Sequence, residues 1–195
     1  MTERILVFAG SIRTGSLNAR LASAAQVTLA QLGADVTRIS LQDYPMPLVN
    51  EDLKAESGIP ENAMRLGRVI AAHNGVFIAS PEYNASIPPL LKNTVDWVSL
   101  ISKDGDQPLK PWQGRYVALG AASNGRLGGM RCLYHLRAVM MGAGSQIVTE
   151  QCSVAHAASA FDDEGRIIDE RTSGILQKTC KSLIDHCRFF HAQAQ

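Results

Sequence analysis

Several features that would announce a function are missing from this chain. It has no excess of charge: 19 Lys and Arg against 18 Asp and Glu leave a formal net +1 over 195 residues, with both signs dispersed. That argues against a nucleic-acid footprint and against an acidic interaction tail. It has no Cys-x-x-Cys pair, and Cys132, Cys152, Cys180 and Cys187 show no metal-like spacing with His73, His135, His156, His186 or His191. Buried reduced thiols and no metal site are the expectation. It has no long apolar run either. The charged Glu3 and Arg4 precede only five apolar residues, Ile5 to Ala9, too few for a signal peptide or a membrane span, so a cytoplasmic protein with no membrane partner is expected. Repeats, low-complexity tracts and Pro/Gly linkers are absent too. With 46% hydrophobic and 19% charged residues, 1–195 reads as one domain with enough sequence to bury a core.

What is there alternates between two periodicities. Strand-like apolar runs fall at Arg4–Ala9, Asp35–Leu41, Gly75–Ser80, Arg115–Ala122 and Ser145–Thr149. Helical patterns fall at Leu17–Leu32, Glu61–His73, Pro89–Ser102, Gly129–Met141 and Glu170–His191. Five β-α units in succession specify an α/β fold, a parallel sheet between helices. The first, third and fourth runs are almost continuously apolar, as fully buried strands are, whereas Val36-Thr37-Arg38-Ile39-Ser40 alternates and Gln146-Ile147-Val148-Thr149 is mixed, as sheet edges are. That places the strands in the doubly wound order 2-1-3-4-5, whose ligands bind beyond the carboxyl ends of the strands.

Three polar loops occupy those ends. The first strand runs into Gly10-Ser11-Ile12-Arg13-Thr14-Gly15-Ser16-Leu17-Asn18. Glycine permits a sharp turn, the following helix offers free N–H groups and its positive dipole end, Ser11, Ser16 and Asn18 add neutral donors, and Arg13 adds a planar cation. No Lys followed by Ser/Thr comes after the second glycine, and the third glycine of the dinucleotide pattern is missing. A cradle for one terminal phosphate fits, as does a plain strand-to-helix turn capped by serine. The third strand ends in Ser80-Pro81-Glu82-Tyr83-Asn84-Ala85-Ser86, held between Pro81 and Pro88-Pro89, where Tyr83 could pack on a heteroaromatic face and Asn84 could donate and accept. The fourth ends in Ser123-Asn124-Gly125-Arg126-Leu127-Gly128-Gly129, which suits either close approach to a ligand or a tight turn.

Taken together, Gly10-Ser-Ile-Arg-x-x-Ser-x-Asn, Ser80-Pro-Glu-Tyr-Asn-x-Ser-x-Pro with Leu91-Lys-Asn-Thr-Val-Asp-Trp, and Ser123-Asn-Gly-x-x-Gly-Gly resemble the NAD(P)H-dependent FMN reductase family of flavodoxin-like proteins. Arg131-Cys-Leu-Tyr-His-Leu-Arg137 and Phe161-Asp-Asp-Glu-Gly are similar to its bacterial quinone and chromate reductase branch, which includes azoreductases. The resemblance covers nearly the whole chain. It implies a flavodoxin-like three-layer sandwich and a noncovalent FMN, with NADH or NADPH as co-substrate. Ser11, Arg13, Ser16, Leu17 and Asn18 would hold the FMN phosphate. Pro81, Glu82, Tyr83 and Asn84 would line the isoalloxazine, Ser86 would support that loop, and Ser123 and Gly125 would close the other side. Hydride transfer between stacked rings requires no acid-base residue, so no catalytic residue is assigned. The implied activity takes a hydride from NADH or NADPH onto bound FMN and passes two electrons to a quinone, flavin, chromate or azo compound in ping-pong order. A flavodoxin-type electron carrier is the rival, but such carriers are strongly acidic, and this chain is near neutral.

Two further regions bear on partners. On a helical wheel Leu90, Leu91, Val95, Trp97, Val98 and Ile101 span an apolar arc of about 160°, wider than the roughly 100° stripe that one sheet-facing helix needs. A second cover is therefore expected: another subunit, in line with the homodimer or homotetramer the resemblance implies, or the chain's own loop, Tyr44 to Pro60. Arg131, Tyr134, His135 and Arg137 resemble an oligomer contact or form a solvated surface, and are left outside the site.

Overall fold

A computed structural model describes residues 2–193. Its main sheet is parallel, built from β1 (Arg4–Ala9), β2 (Asp35–Arg38), β3 (Gly75–Ala79), β6 (Tyr116–Ala122) and β7 (Gln146–Val154) in the order β2-β1-β3-β6-β7. Counting only these five strands, that is the 2-1-3-4-5 arrangement. The remaining strands, β4 (Lys103–Asp104) and β5 (Gln107–Pro108), form a small hairpin. The helices are α1 (Leu17–Gln31), α2 (Glu51–Ser57), α3 (Glu61–Ala71), α4 (Pro89–Ser99), α5 (Met130–Gly142) and α6 (Glu170–Gln193).

Strand alternation divides the core into two layers. Ile5, Val7 and Ala9 of β1 point to the face covered by α1 and α6, joining Leu21, Ala25 and Leu29 with Leu176, Cys180 and Leu183. Leu6 and Phe8 point the other way, to Leu66 and Ile70 of α3, Leu91 and Val95 of α4, and Leu133 and Leu136 of α5. In α3 the buried residues are Ala63, Leu66, Gly67 and Ile70, the i, i+3, i+4, i+7 stripe of a helix with one covered face. Because β1, β3 and β6 are clad on both sides, their carboxyl ends are the exits left for functional loops.

Four expectations change. The second strand stops at Arg38, because the Ser40 hydroxyl accepts from Gln42 N at 3.2 Å and caps a 3-10 turn over Leu41–Asp43. The last strand runs on to Val154, five residues past Thr149, pairing with β6 across an irregularity between Val117 and Leu119. The stretch from Tyr44 to Pro60 is not structureless: α2 lies in it, capped by Asn50, whose Oδ1 accepts from Asp52 N and Leu53 N, and ended by Gly58 at φ 76°. None of its residues is buried, so no apolar stripe marked it. Finally, the wide arc of α4 is covered from within the chain. Trp97 is fully buried and its Nε1 donates to Pro47 O at 2.7 Å, while Asn93 donates to Pro47 O and accepts from Val49 N. The arc thus gives no separate support for a subunit contact.

Candidate functional site

The first loop is set by backbone constraints. Gly10 N donates to Ala79 O at 2.8 Å, tying the end of β1 to the end of β3. A Cβ at Gly10 would lie 2.9 Å from Leu91 Cδ2 and 3.1 Å from its Cβ, so glycine lets the loop pass α4 without displacing that side chain. Gly15 turns at φ 69°, and Ser16 then caps α1, its Oγ accepting from Ala19 N at 3.3 Å. Leu17 and Asn18 begin the first turn, where N–H groups have no partner inside the helix. Ser11 Oγ accepts from Arg13 N at 3.4 Å. The exposed Arg13 guanidinium curls over the loop, donating to Thr14 O at 3.2 Å and Gly15 O at 3.0 Å. Leu17 packs sideways against the core. Asn18 is buried, and its side-chain amide exchanges two hydrogen bonds with Ala122, donating to its O and accepting from its N, both at 2.9 Å. One N–H of that amide is left for any ligand.

The second loop contains a miniature hairpin. Tyr83 N donates to Ser86 O at 3.0 Å and Ser86 N to Tyr83 O at 2.9 Å, and the two residues between, Asn84 and Ala85, both sit at positive φ, 50° and 64°. Positive φ at both central positions matches the right-handed twist of a tight hairpin, at about 1–2 kcal/mol for a residue such as alanine that carries a Cβ. The turn pushes the Tyr83 ring out to 52% exposure. Pro81 is half-buried, and before it the buried Ser80 donates to Pro81 O at 3.0 Å and faces Cys132 Sγ.

Two residues of this loop reach α5. Glu82 is nearly enclosed, its side chain 9% exposed; it accepts from Arg131 Nε at 2.9 Å, from Arg131 Nη2, and from Cys132 N at 3.2 Å. Burial pushes its carboxyl upward, but the Arg131 guanidinium and the Cys132 N–H outweigh that and hold it below the usual carboxylate range. Ser86 Oγ lies 2.9 Å from His135 Nδ1. From sequence Arg131 and His135 were read as an oligomer contact or solvated surface and kept outside the site; the structure turns both toward this loop, and their i, i+4 spacing on one helix face was a readable signal. Arg137, from the same helix, is turned inward and donates to Val148 O, Thr149 O and Gln151 Oε1, tying α5 to β7.

The third loop is braced by the segment after β7. Ser123 N donates to Val154 O, Ser123 O accepts from Ala157 N, and Asn124 Oδ1 accepts from Ala158 N. Ser123 Oγ accepts from Gly125 N at 3.2 Å. Gly129 starts α5 at φ 85°, and a Cβ there would come within 2.6 Å of Ala121 Cβ.

Gly10, Ser11, Ile12 and Arg13 share one open cleft of about 240 Å³ with Tyr83, Pro88, Pro89 and Leu90. The first two loops are therefore brought together, but of the site residues expected from sequence only Ser11, Arg13 and Tyr83 line this cleft; Ser16, Leu17, Asn18, Pro81, Glu82, Asn84, Ser86, Ser123 and Gly125 do not. A larger hollow, about 860 Å³ between α1 and residues 162–176, contains none of the site residues. Among the described residues no cluster of three or more His, Cys, Asp or Glu could hold a metal, and no helix is long and apolar enough to cross a membrane.

The doubly wound sheet in this strand order, which superimposes on an archaeal flavodoxin with a TM-score of 0.60, defines a flavodoxin-like fold. The profile of the NADPH-dependent FMN reductase family matches residues 3–159, and the chain belongs to that family of oxidoreductases, which work with FMN and NAD(P)H. It is 33% identical over 182 residues to an NAD(P)H-dependent FMN reductase of Pseudomonas aeruginosa, covering 92% of each protein. It is 37% identical over 144 residues to a quinone reductase of Escherichia coli, covering 72% of each. Among solved structures, the flavoenzyme NAD(P)H:(acceptor) oxidoreductase FerB of Paracoccus denitrificans superimposes with a TM-score of 0.78 at 26% identity, over 96% of this chain and 98% of that one.

Proposed function

We propose that the chain holds FMN noncovalently across the cleft between residues 10–18 and the Tyr83–Ser86 hairpin, and passes two electrons from NADH or NADPH to a small, quinone-type acceptor. The observation that carries this reading is the shared cleft itself: the Gly10–Arg13 segment, with its exposed guanidinium, and an exposed aromatic ring line one opening, and the capped start of α1 follows three residues on. The residues fit the group. Arg13 rests on two neutral carbonyls that it could exchange for phosphate oxygens, and the first turn of α1, at Leu17 and Asn18, would add free N–H groups and the positive end of the helix dipole. Ser11 and Ser16 add hydroxyls. Pro81, Tyr83 and Asn84 would border the ring system, with Ser123 and Gly125 toward its far side.

FMN, when bound, supplies an isoalloxazine that takes a hydride from a nicotinamide and hands on two electrons. The protein's part is placement. At about 240 Å³ the cleft is smaller than the roughly 300–1,000 Å³ of sites that engulf their ligand, so a flat ring would keep one face open. Nicotinamide and acceptor would use that face in turn, which makes the kinetic order ping-pong. Glu82, neutralised by Arg131, adds no free carboxylate to repel a reduced ring. A homodimer or homotetramer remains part of the proposal on family likeness.

Anaerobic titration of the FMN-loaded protein tests the reading. NADH or NADPH should bleach the flavin absorbance fully, and a quinone added afterwards should restore it. A spectrum indifferent to both nucleotides would favour an electron carrier, while failure to bind FMN at all would end the proposal.

A further inference from the structure

Both ends of the Tyr83–Ser86 turn are gripped from one side. The hairpin places Asn84 and Ala85 at φ 50° and 64°, conformations that residues with a Cβ rarely adopt unless their surroundings impose them. Its own two backbone hydrogen bonds are at the surface, next to a half-exposed tyrosine, where water competes for them. What adds constraint is α5. Arg131 grips Glu82, immediately before the turn, and Cys132 N binds the second oxygen of the same carboxylate. One helical turn later His135 meets Ser86, the last residue of the turn. The start of α5 is fixed in its turn by Gly129, which lies against Ala121 at the end of β6. The chain of contacts thus runs from the sheet, through the first turn and a half of α5, to the exposed ring that borders the cleft.

We propose that α5 is a clamp, in which Arg131 and His135 are positioning residues that hold the Tyr83–Ser86 turn in its left-handed conformation and so set the orientation of Tyr83 over the cleft. The proposal rests on the reading of that cleft as the FMN site. Neither side chain needs to touch the ligand. Glu82 and Ser86 act as handles, and this explains why Glu82, expected at the ring, has its carboxylate directed at a helix instead, and why Ser86, expected to support the loop, meets the same helix. Arg131 converges two fixed guanidinium N–H groups, Nε and Nη2, on Glu82 Oε1, a planar grip that the lysine ammonium does not reproduce, whereas the His135 contact needs only one hydrogen-bonding atom about where Nδ1 lies, which asparagine offers from the same number of bonds along the side chain.

The test uses the full chain with His135→Ala, Ser86→Ala, the double variant, His135→Asn and Arg131→Lys. The first measurement is backbone amide hydrogen exchange in the flavin-free protein. His135→Ala and Arg131→Lys should each speed exchange at Tyr83 N and Ser86 N about tenfold while leaving β1 and β6 amides as they are, and His135→Asn should restore most of the protection. Ser86→Ala should match His135→Ala, and the double variant should add nothing to either. The second measurement is the FMN dissociation constant by quenching of flavin fluorescence, expected to rise about five- to tenfold in the clamp variants with the same rescue by asparagine. Unchanged exchange at Tyr83 and Ser86 in His135→Ala and Arg131→Lys overturns the clamp. Faster exchange with unaltered FMN affinity overturns the positioning role. Failure of the wild-type protein to bind FMN, with the exchange effect present, instead strikes the reading of the cleft and leaves the clamp standing.

Discussion

Asn18 and Arg13 lie five positions apart in one loop and do opposite work. The Asn18 amide is buried, and its Oδ1 and one of its two N–H groups are engaged by the backbone of Ala122, so it joins the loop after β1 to the end of β6. Replacing it with alanine strands a buried N–H and a buried C=O, each worth roughly 1–3 kcal/mol; Asn18→Ala should therefore lower unfolding free energy by about 2–5 kcal/mol in a urea titration. Arg13 is exposed and bonds only to its own loop. Arg13→Ala should leave the unfolding midpoint unchanged and weaken FMN about 10- to 100-fold, the range for a hydrogen bond to a charged group. Glu82 adds a pH dependence. Its carboxyl is held below the usual range, so the stability it contributes is present above the ordinary glutamate value of about 4.3 and is lost as pH falls through the lower folded-state value. Between pH 6 and pH 3 the denaturation midpoint of Glu82→Gln should fall less steeply than that of the wild type; parallel declines would remove the pair's role.

At the scale of elements, the loops are shaped by where a helix can start. Gly15 and Gly129 both stand just ahead of helices at positive φ, 69° and 85°, but their surroundings differ. Nothing lies within 4 Å of a Cβ built at Gly15, whereas one at Gly129 would meet Ala121 Cβ at 2.6 Å. Gly15→Ala should cost about 1–2 kcal/mol, the strain of a left-handed alanine, and Gly129→Ala about 2–5 kcal/mol once overpacking is added. Equal unfolding shifts for the two would contradict this account. The same reasoning applies to α4, whose outer flank is closed by the Pro47 segment through Trp97 and Asn93. An apolar arc tells how much of a helix is covered; it does not tell by what.

For the whole molecule, the open cleft predicts the pattern of turnover. If a ring bound there keeps one uncovered face, as proposed, double-reciprocal plots against NAD(P)H at several fixed quinone concentrations should be parallel. Intersecting lines would require nicotinamide and acceptor to be bound together, and hence a binding surface beyond this cleft. Charge fits the same picture. A net +1 gives little long-range steering toward a protein partner, so turnover with a neutral quinone should change little with ionic strength.

Strand order and loop placement were legible because they depend on local composition. Almost continuously apolar runs at 4–9, 75–80 and 115–122 mark strands covered on both faces, and whatever follows them must emerge at the functional edge. The loop after β1 was legible as a candidate site for the same reason: glycine, serine cap and arginine fall within a few residues of one another. Glu82 and Ser86 were recognisable as loop residues, but their partners were not, since Arg131 and His135 come 49 positions later and meet them only when β3 and β6 pair and α5 packs back across their ends. Asn18 and Ala122, 104 residues apart, are the same case. Sequence by itself determined the sheet, its exits and the chemistry offered at each exit, because those follow from periodicity and side-chain type over short spans. Tertiary structure alone decided which of those side chains stay free for a ligand and which are consumed in holding the loops, because hydrogen bonding between distant residues depends on packing that no local pattern encodes.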